Sequence, residues 1–561
     1  MNRKNRKRLV ASAAAVSMLV PLAACGGNNS AKSDSTSLQI FTQAATYEGK
    51  LDGYVGKMFK DKLGLSNISV VPATVGGTDR FQTKLTTGQL GDVVIFTSRD
   101  SLKKAIDAGQ VIDLNTIKDQ LPNAFRFTDA IARMENTDDG KVYAIPSGVA
   151  QTAELTKGDP VNVPSLRYDY YKELGSPTIK DYWGYKDVAE AMAKAHPKTE
   201  NGDNFYALSL FGGWDSKSAG QIRNIANAMG WAITDGVNGY DFINIDPINK
   251  RTEDLLADGG TYLQGLKWAN SFHQDGMLDP DSATQTWDDY LKKGEKGQSA
   301  MWVYGYIGNL NFNPVNKDLT EQKKGYERIT NESMSIADQM TSTIGTNWFW
   351  AITKNGNHET AAKFLNYMYG DEGSFTYENG PEGVIWKMNA DGKPEFTDLG
   401  NSDWSTSVPD DLGGGKVQDT FKARVNGSFM DPNAVDEKYG SPSAYNVWDT
   451  YLVDHASNLD KEWSADHDGA INVKEVLVNN KQVTGFPVKD VPVKEWSDTD
   501  AVIVSQVGDA IKQYSWKMIY ANSDSEFESL KKEMIAKAKN LGYDKLVEFE
   551  TKYAQNYFDA E

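Results

Sequence analysis

SLQIFTQA, residues 37–44, begins the alternation of strands and helices that decides the fold of this chain. Two further short apolar runs follow it, NISVVPATV (67–75) and GDVVIFTS (91–98). Between the three runs, residues 51–63 and 77–87 have the apolar spacing of amphipathic helices. Strand, helix, strand, helix, strand at this rhythm predicts a mostly parallel sheet with helices on its faces, and so an α/β fold.

Ligands of such sheets bind at the carboxyl ends of the strands. The loops that follow the first and third runs are therefore the first candidates for a binding site. They contain Gln43, Tyr47 and Glu48 in one loop and Arg99 with Asp100 in the other. The last two side chains are also suited to a surface ion pair, which would have no part in binding.

Composition and charge limit the classes of binding partner that this chain is expected to have. The chain of 561 residues has a net charge of −18, and of −23 without the five basic residues among the first eight. Such a surface repels phosphate backbones, so no nucleic-acid partner is expected. Aromatic residues make up 11% of the chain, with 14 Trp and 26 Tyr. Aromatic faces combined with polar side chains suit a neutral sugar, although most of these rings belong in the core.

Motifs for chemistry are largely missing from the sequence. It contains no GxxxxGK[ST] loop, no GxSxG and no complete HExxH, so neither nucleotide hydrolysis nor a cofactor is expected. Paired carboxylates of a glycoside hydrolase have no fixed sequence spacing, and the chain has 77 acidic residues. A surface hydrolase acting on glycans therefore stays open as an alternative function.

One acidic segment has the spacing of a calcium loop. SADHDGAINVKE (464–475) places Asp466, Asp468 and Glu475 at positions 3, 5 and 12, but Ser464 occupies position 1. The residues after it, VLVNNKQVTGF (476–486), have the pattern of a strand rather than of the second helix of such a loop. A structural Ca²⁺ and an acidic turn that matches by chance both remain open.

The amino terminus has the pattern of an export signal. A basic start is followed by the apolar run Leu9–Leu22 and then by Leu-Ala-Ala-Cys, which contains the single cysteine, Cys25. This resembles the lipobox of bacterial lipoproteins, in which the signal (1–24) is removed and the cysteine carries lipid. Residues 25–37 then read as a flexible tether. We expect a protein held by lipid on the outer face of a bacterial cytoplasmic membrane.

Several blocks resemble the family 1 extracellular solute-binding proteins of carbohydrate ABC importers, in their large lipoprotein subgroup. The blocks are DVVIFTSRDSLKKAIDAGQVIDLN (92–115), DDGKVYAIPSG (138–148), FHQDGMLDPDSATQTWDDYLKKGEKGQSAMW (272–302), NWFWAITKNGNHETAAKFLNYMYGDEGSFTYENGPEGVIW (347–386) and the carboxyl-terminal helical pattern of 526–557. The resemblance implies a two-lobe, periplasmic-binding-protein-like (type II-like) clamp with a hinge of crossing segments. It also implies a monomer that delivers its ligand to a membrane permease and performs no chemistry.

Under this resemblance, the amino-terminal lobe is expected from 38–150 plus 343–405, and the carboxyl-terminal lobe from 151–342 plus 406–561. Further ligand-binding candidates lie after strands or in glycine-rich segments of the sequence: Trp214, Asp215, Trp302, Tyr304, Tyr306, Asn347, Trp348 and Trp386. Near the last of these, Glu382 is expected to anchor a tight turn from a buried position. The expected ligand is an oligosaccharide, and a peptide or another solute is a weaker alternative for the same fold.

Overall fold

The computed structural model describes residues 36–73, 79–136, 138–232, 240–491 and 496–560. Two sheets, each covered by helices, form two lobes. The predictions for Cys25, for the signal and for most of the tether lie outside the described residues. Among the described residues, no helix is both long and apolar enough to cross a bilayer.

In the described part of the chain, the first sheet has six strands, and three of them lie in the apolar runs that the sequence predicts as strands. Its order is Gly49–Lys50, Asn67–Pro72, Ser37–Thr42, Val93–Phe96, Phe349–Ile352 and Ile145–Pro146. The second, third and fourth of these strands are parallel, and Phe349–Ile352 returns antiparallel from the other lobe. Trp350 and Phe349 point to opposite faces of this sheet, and both are buried because helices cover both faces.

The first lobe has eight helices among its described residues, and the first two confirm the predicted alternation. The eight helices are Gly53–Leu63, Asp79–Thr87, Arg99–Asp107, Pro122–Phe125, Thr128–Met134, His358–Met368, Asp371–Asn379 and Phe421–Val425. Short strand pairs, Trp386–Met388 with Pro394–Phe396 and Val435–Asp436 with Ser441–Pro442, and the helix Asp449–Asp454 extend this side of the molecule.

The second sheet has the order Tyr326–Arg328, Ser165–Arg167, Ser299–Trp302 and Tyr206–Leu208. Strand pairs Ile243–Asp246 with Arg251–Asp254 and Ile336–Gln339 with Val483–Phe486 accompany it. The helices of this lobe are Tyr168–Glu173, Tyr185–Ala195, Gly220–Asn224, Thr261–Gln274, Trp287–Glu295, Gly305–Asn309, Lys317–Glu321, Asn458–Asp466, Val473–Asn479, Asp498–Ile519, Asp524–Leu541 and Tyr543–Asp559. In the two lobes together, short 3₁₀ segments occur at Leu114–Gln120, Tyr182–Gly184, Gly212–Trp214, Ile225–Ala228, Asp410–Leu412 and Tyr445–Val447.

A buried cation supports the second sheet. The side chain of Arg167 is fully buried, and its Nε donates to Asp169 Oδ1 at 2.7 Å while Nη2 pairs with Glu200. The guanidinium also lies over the rings of Tyr170 and Phe312, at 4.4 and 5.2 Å from their centroids. Removing one partner of such a buried pair leaves an uncompensated charge, so Arg167 is a determinant of stability for this lobe.

Two chain segments cross between the lobes side by side, and residues 425–436 of the first lobe run beside them. Residues 147–154 form the first: Ala150 N donates to Ser342 O at 2.7 Å, and Val149 N donates to Phe429 O at 3.3 Å. Asp431 N donates back to Val149 O at 2.8 Å. Segments 147–154, 341–347 and 425–436 are therefore hydrogen-bonded neighbours. The first two pass from one lobe to the other and form the hinge of crossing segments that the resemblance implies.

The predicted boundary between residues 405 and 406 is wrong. Val417, Phe421 and Val425 are buried in the core of the first lobe, with apolar side chains spaced so that one face meets that core. Further along, Tyr439 and Trp448 pack on Phe375 of the first lobe. Residues 406–448 thus belong with the first lobe rather than with the second.

Candidate functional site: the cleft between the lobes

The ligand-facing edge of the second sheet is defined by two parallel strands. Tyr206–Leu208 and Ser299–Trp302 are paired in parallel, with Ser299 opposite Tyr206 and Met301 opposite Leu208. Their carboxyl ends therefore lie at the same edge, where a ligand is expected. Gly305 N, after the second strand, donates to Val161 O at 3.1 Å in the chain arriving from the hinge. This edge thus faces the crossing segments.

Four aromatic side chains meet at this edge and are called here the aromatic platform: Trp214, Trp287, Tyr304 and Tyr306. The ring centroid of Trp214 lies 4.8 Å from that of Trp287 and 5.2 Å from that of Tyr304. Tyr306 stacks on Tyr304 at 5.9 Å with an interplanar angle of 14°. Partial burial raises the pKa of Tyr306 to about 12, so this hydroxyl is neutral at physiological pH.

The four platform rings differ in what they offer a ligand. Trp287 is 36% exposed, and Trp214 and Tyr306 are half-buried. Tyr304 is only 7% exposed, and its hydroxyl contacts the side-chain amide of Asn224. Trp214, Trp287 and Tyr306 therefore present ring surface, whereas Tyr304 mainly supports the other rings.

The prediction of a ligand contact for Trp302 is wrong. This side chain is fully buried beneath the platform, with its ring 5.2 Å from that of Tyr290 in an edge-to-face contact. The strand ends at Trp302, and a short helix begins at Gly305. Trp302, Tyr304 and Tyr306 therefore do not share one strand face, although they alternate in the sequence.

Asp215 supports the platform from behind. Its Oδ1 accepts a hydrogen bond from Gly220 N at 2.9 Å, and its Oδ2 accepts from Trp516 Nε1. Burial raises the pKa of this carboxyl to about 6, against the opposing effect of the Trp516 and Gly220 hydrogen bonds. These contacts make Asp215 an anchor for the loop that carries Trp214.

The first lobe contributes a polar edge. Gln43 Oε1 accepts from Thr97 N at 3.1 Å, and its Nε2 donates to Ser101 Oγ at 3.3 Å. This side chain therefore joins the loops that follow the first and third parallel strands. The hydroxyl of Tyr47 donates to Lys50 O, and the guanidinium of Arg424 lies over its ring at 4.3 Å.

Glu48 is exposed and paired. Its Oε1 lies 2.6 Å from Arg80 Nη2, and this hydrogen bond holds the pKa of the Glu48 carboxyl below its usual value. Asp100 likewise pairs with Lys104, one turn along its own helix. The expected surface ion pair between Arg99 and Asp100 is therefore not formed, and Arg99 pairs with Asp490 instead.

Arg99 takes part in an ion-pair cluster that joins the lobes. Arg99 Nη2 and Arg133 Nε lie 2.6 and 3.0 Å from Asp490 Oδ1. Asn347 Oδ1 accepts from Arg133 Nη2 at 2.6 Å and from Arg99 Nε at 3.4 Å. Both arginines belong to the first lobe, whereas Asp490 follows the strand Val483–Phe486 of the second. Burial and the neighbouring Arg99 lower the pKa of Arg133.

Two predicted residues near the returning strand support the fold. Trp348 is half-buried against the first core, and its carbonyl accepts from Ser147 N at 2.8 Å. Trp386 is fully buried, with Nε1 donating to Gly380 O at 2.9 Å, so the prediction that it faces a ligand is wrong. Glu382 lies in the predicted turn but is exposed, which corrects the expectation of a buried glutamate.

The acidic segment 464–475 joins two helices, Asn458–Asp466 and Val473–Asn479, so the strand predicted directly after it is wrong for 476–479. Asp466 Oδ2 accepts from Tyr168 Oη at 2.7 Å and pairs with Lys172, and these partners outweigh burial to lower its pKa. Glu475 accepts from Ile471 N at 3.0 Å. Across the described ranges, no three metal-binding side chains lie close enough to hold an ion.

Sequence reasoning missed Trp287, Arg133 and Asp490. Trp287 is the first residue of a helix whose capping box, Thr286 with Asp289, is readable in the sequence as TWDD. That signal locates the start of the helix, and so it places Trp287 in the first turn. Asp490 is 391 residues from Arg99 along the chain, and no local pattern connects the two.

Comparison with known proteins agrees with this architecture. Residues 55–377, more than half of the chain, match the model of the bacterial extracellular solute-binding protein family. The chain therefore belongs to that family. No curated protein matches the chain in sequence.

Solved structures share the fold at low sequence identity. An HMO-binding, ABC-transporter-associated solute-binding protein from Bifidobacterium longum infantis is 15% identical, with a TM-score of 0.56 over 93% of this chain and 99% of that one. An extracellular solute-binding protein of the same subspecies is 14% identical, with a TM-score of 0.55 over 93% and 98%. The S. pneumoniae substrate-binding protein FusA, in complex with kestose, is 15% identical, with a TM-score of 0.51 over 93% and 99%. These likenesses define a two-lobe solute-binding fold.

Proposed function

We propose that this protein is a receptor that captures an oligosaccharide in the cleft between its lobes and passes it to the permease of an ABC importer. The aromatic platform is the observation that carries the proposal. Rings of Trp214, Trp287 and Tyr306 offer surface at the ligand edge of the second sheet. Apolar faces of sugar rings bind to such surfaces, and polar groups orient the hydroxyls.

Polar side chains of the first lobe supply the second half of the site. Arg99 and Asn347 lie at the carboxyl edge of the first sheet and are exposed. A ligand held by both edges favours the arrangement in which the lobes approach, since it contacts both only there. One of the similar structures is an HMO-binding protein and another is a complex with kestose, and these likenesses support a sugar as the ligand.

We further propose that Cys25 carries lipid and holds the receptor on the outer face of the membrane. The export signal, the Leu-Ala-Ala-Cys sequence and the polar segment 26–37 support this assignment. Metabolic labelling with a radiolabelled fatty acid tests it. Label in the wild-type chain and its loss in Cys25→Ser is the expected result, and equal labelling of both would contradict it.

Calorimetric titration of residues 26–561 tests the receptor function. The probes are milk, fructan, plant and N-glycan oligosaccharides, and each mixture is analysed afterwards by mass spectrometry. Saturable one-to-one binding with the sugar recovered intact is the expected result. Shortened sugars would instead show a hydrolase, and heat from peptides but from no glycan would move the ligand class to peptides.

A further inference from the structure

A cavity of about 270 Å³ lies beside the cleft, between the segment 378–455 and Lys317 of the second lobe. The family match ends at residue 377, so every lining residue except Lys317 comes from sequence beyond that match. The cavity is slightly smaller than the range typical of drug-sized ligands. Its size therefore suits one sugar ring rather than a whole oligosaccharide.

Aromatic rings form one wall of the cavity. Phe396 lies 5.1 Å from Tyr445 and 5.7 Å from Tyr451, measured between ring centroids. The ring of His455 stacks on that of Tyr451 at 4.0 Å. Trp404 also lines the cavity and is 56% exposed. Exposure of a large apolar ring does not stabilise the fold, and such exposed surface often marks a binding site. A stacked wall with an exposed indole resembles the surface chemistry of the aromatic platform.

Polar side chains complete the lining of the cavity. Asn401 and Asp403 line it beside Trp404, and both are exposed. Their amide and carboxylate oxygens can accept hydrogen bonds from ligand hydroxyls. The cavity thus combines stacking surface with hydrogen-bond acceptors, the two features that bind a sugar ring.

The cavity is close to the ligand edge of the first lobe. Thr420 lines the cavity and caps the helix Phe421–Val425, which is about 7.5 Å long. At the other end of this helix, Val425 O accepts from Thr42 Oγ1 at 3.4 Å, and Asn426 Nδ2 donates to Ala44 O at 2.8 Å. The cavity and the loop that begins at Gln43 are therefore separated by one short helix. An oligosaccharide of a few rings spans such a distance.

We propose that this cavity is a subsite for one terminal ring of the oligosaccharide, an inference that rests on the proposed function. The ring would stack on the Tyr451 wall and on Trp404 and would donate hydroxyls to the side chains of Asn401 and Asp403. Because Lys317 comes from the second lobe, an occupied cavity contacts both lobes. The segment 378–455 then selects ligands by length, since only a ligand that also fills the cleft reaches the cavity.

The test is a titration of Trp404→Ala and Tyr451→Ala with glycan ladders that run from disaccharide to octasaccharide. The ladders are fructans, maltodextrins, xylans and milk-type glycans, with Trp287→Ala as the reference variant for the cleft. Trp404 is exposed, so its loss leaves folding intact, and thermal melting of both variants monitors this. Loss of one stacking contact should weaken binding of the longer ligands by about 2- to 12-fold, with the shortest binding ligand unaffected.

The outcomes separate the subsite from the receptor function. If both cavity variants bind every length as the wild type does, while Trp287→Ala binds more weakly, the subsite is refuted and the cleft stands. If the cavity variants lose affinity equally for all lengths, the cavity is not a terminal subsite. If no glycan binds the wild-type protein, the proposed function fails and the subsite fails with it.

Discussion

Trp287 allows a direct test of the aromatic platform. The side chain is 36% exposed, so Trp287→Ala removes a ring that is only partly buried, against Trp214, Phe211 and Tyr290. Truncating a fully buried Trp costs about 3–5 kcal/mol of stability, and we expect about a third to a half of that here. The variant therefore folds, and its binding is measurable.

The expected loss of affinity comes from one stacking contact. Such a contact contributes about 0.5–1.5 kcal/mol, so calorimetry should show about 2- to 12-fold weaker oligosaccharide binding. Trp214→Ala should behave similarly. The two losses should not add, because the rings are 4.8 Å apart and share one ligand face. Trp287→Leu keeps apolar bulk without the ring and should lose nearly as much as Trp287→Ala.

The matched control is Phe549→Ala. Phe549 is 37% exposed and packs on Trp496 at 4.6 Å, on a helix outside the cleft. This variant should bind as tightly as the wild type. If Trp287→Ala and Trp214→Ala also bind as tightly as the wild type while remaining folded, the platform does not hold the ligand.

Three further predictions follow from the charged groups. Asp490→Asn leaves Arg133 facing Arg99 without an anion between them. The two cations then repel each other, so small-angle scattering of the ligand-free protein should show a larger radius of gyration, most clearly at low salt. An unchanged radius would contradict this. Arg167→Met should lower the free energy of unfolding in urea by about 3–5 kcal/mol, because Glu200 loses its buried partner; a loss below about 1 kcal/mol would contradict this. Asp215 has a pKa of about 6 when folded and 3.8 when unfolded, so its contribution to the free energy of unfolding falls as pH rises from about 4 to 6, by at most about 3 kcal/mol. Asp215→Asn should remove that part of the pH dependence, and an unchanged profile would contradict the assignment.

Local periodicity predicted the first lobe well because its elements are consecutive. The strands Ser37–Thr42, Asn67–Pro72 and Val93–Phe96 lie within the predicted runs, and the helices between them do so as well. The lobe assignment implied by the resemblance failed for residues 406–448, and periodicity could not have corrected it. Their apolar spacing shows that they pack on something, but periodicity does not say which of two lobes provides the partner.

The candidate site was predicted only in part, because sequence periodicity does not show which aromatic side chains are buried. Alternating aromatics after Ser299 pointed to the segment that carries two of the platform rings, yet a period of two does not tell which side chains are buried. Trp302 therefore was assigned to the ligand, whereas Tyr306 keeps ring surface. Trp287 was missed because it starts a polar helix some fifteen residues before that segment. The ring of Trp214, which contacts both Trp287 and Tyr306, connects the two in the fold.

The position of the ion-pair cluster determines what it contributes to binding. Arg133 Nη1 donates to Ile344 O and to Thr346 O, both at 2.8 Å, so Asp490 meets an arginine that is already fixed to a crossing segment of the hinge. Contacts close to a rotation axis move little when the lobes separate, so the Arg133–Asp490 pair restrains the hinge, whereas the exposed side chains of Arg99 and Asn347 can still contact a ligand. The rings of the platform, further along the second lobe, gain contacts only as the lobes approach. Substitutions at Asp490 should therefore change the ligand-free shape more than the affinity, and substitutions at Trp287 should do the reverse.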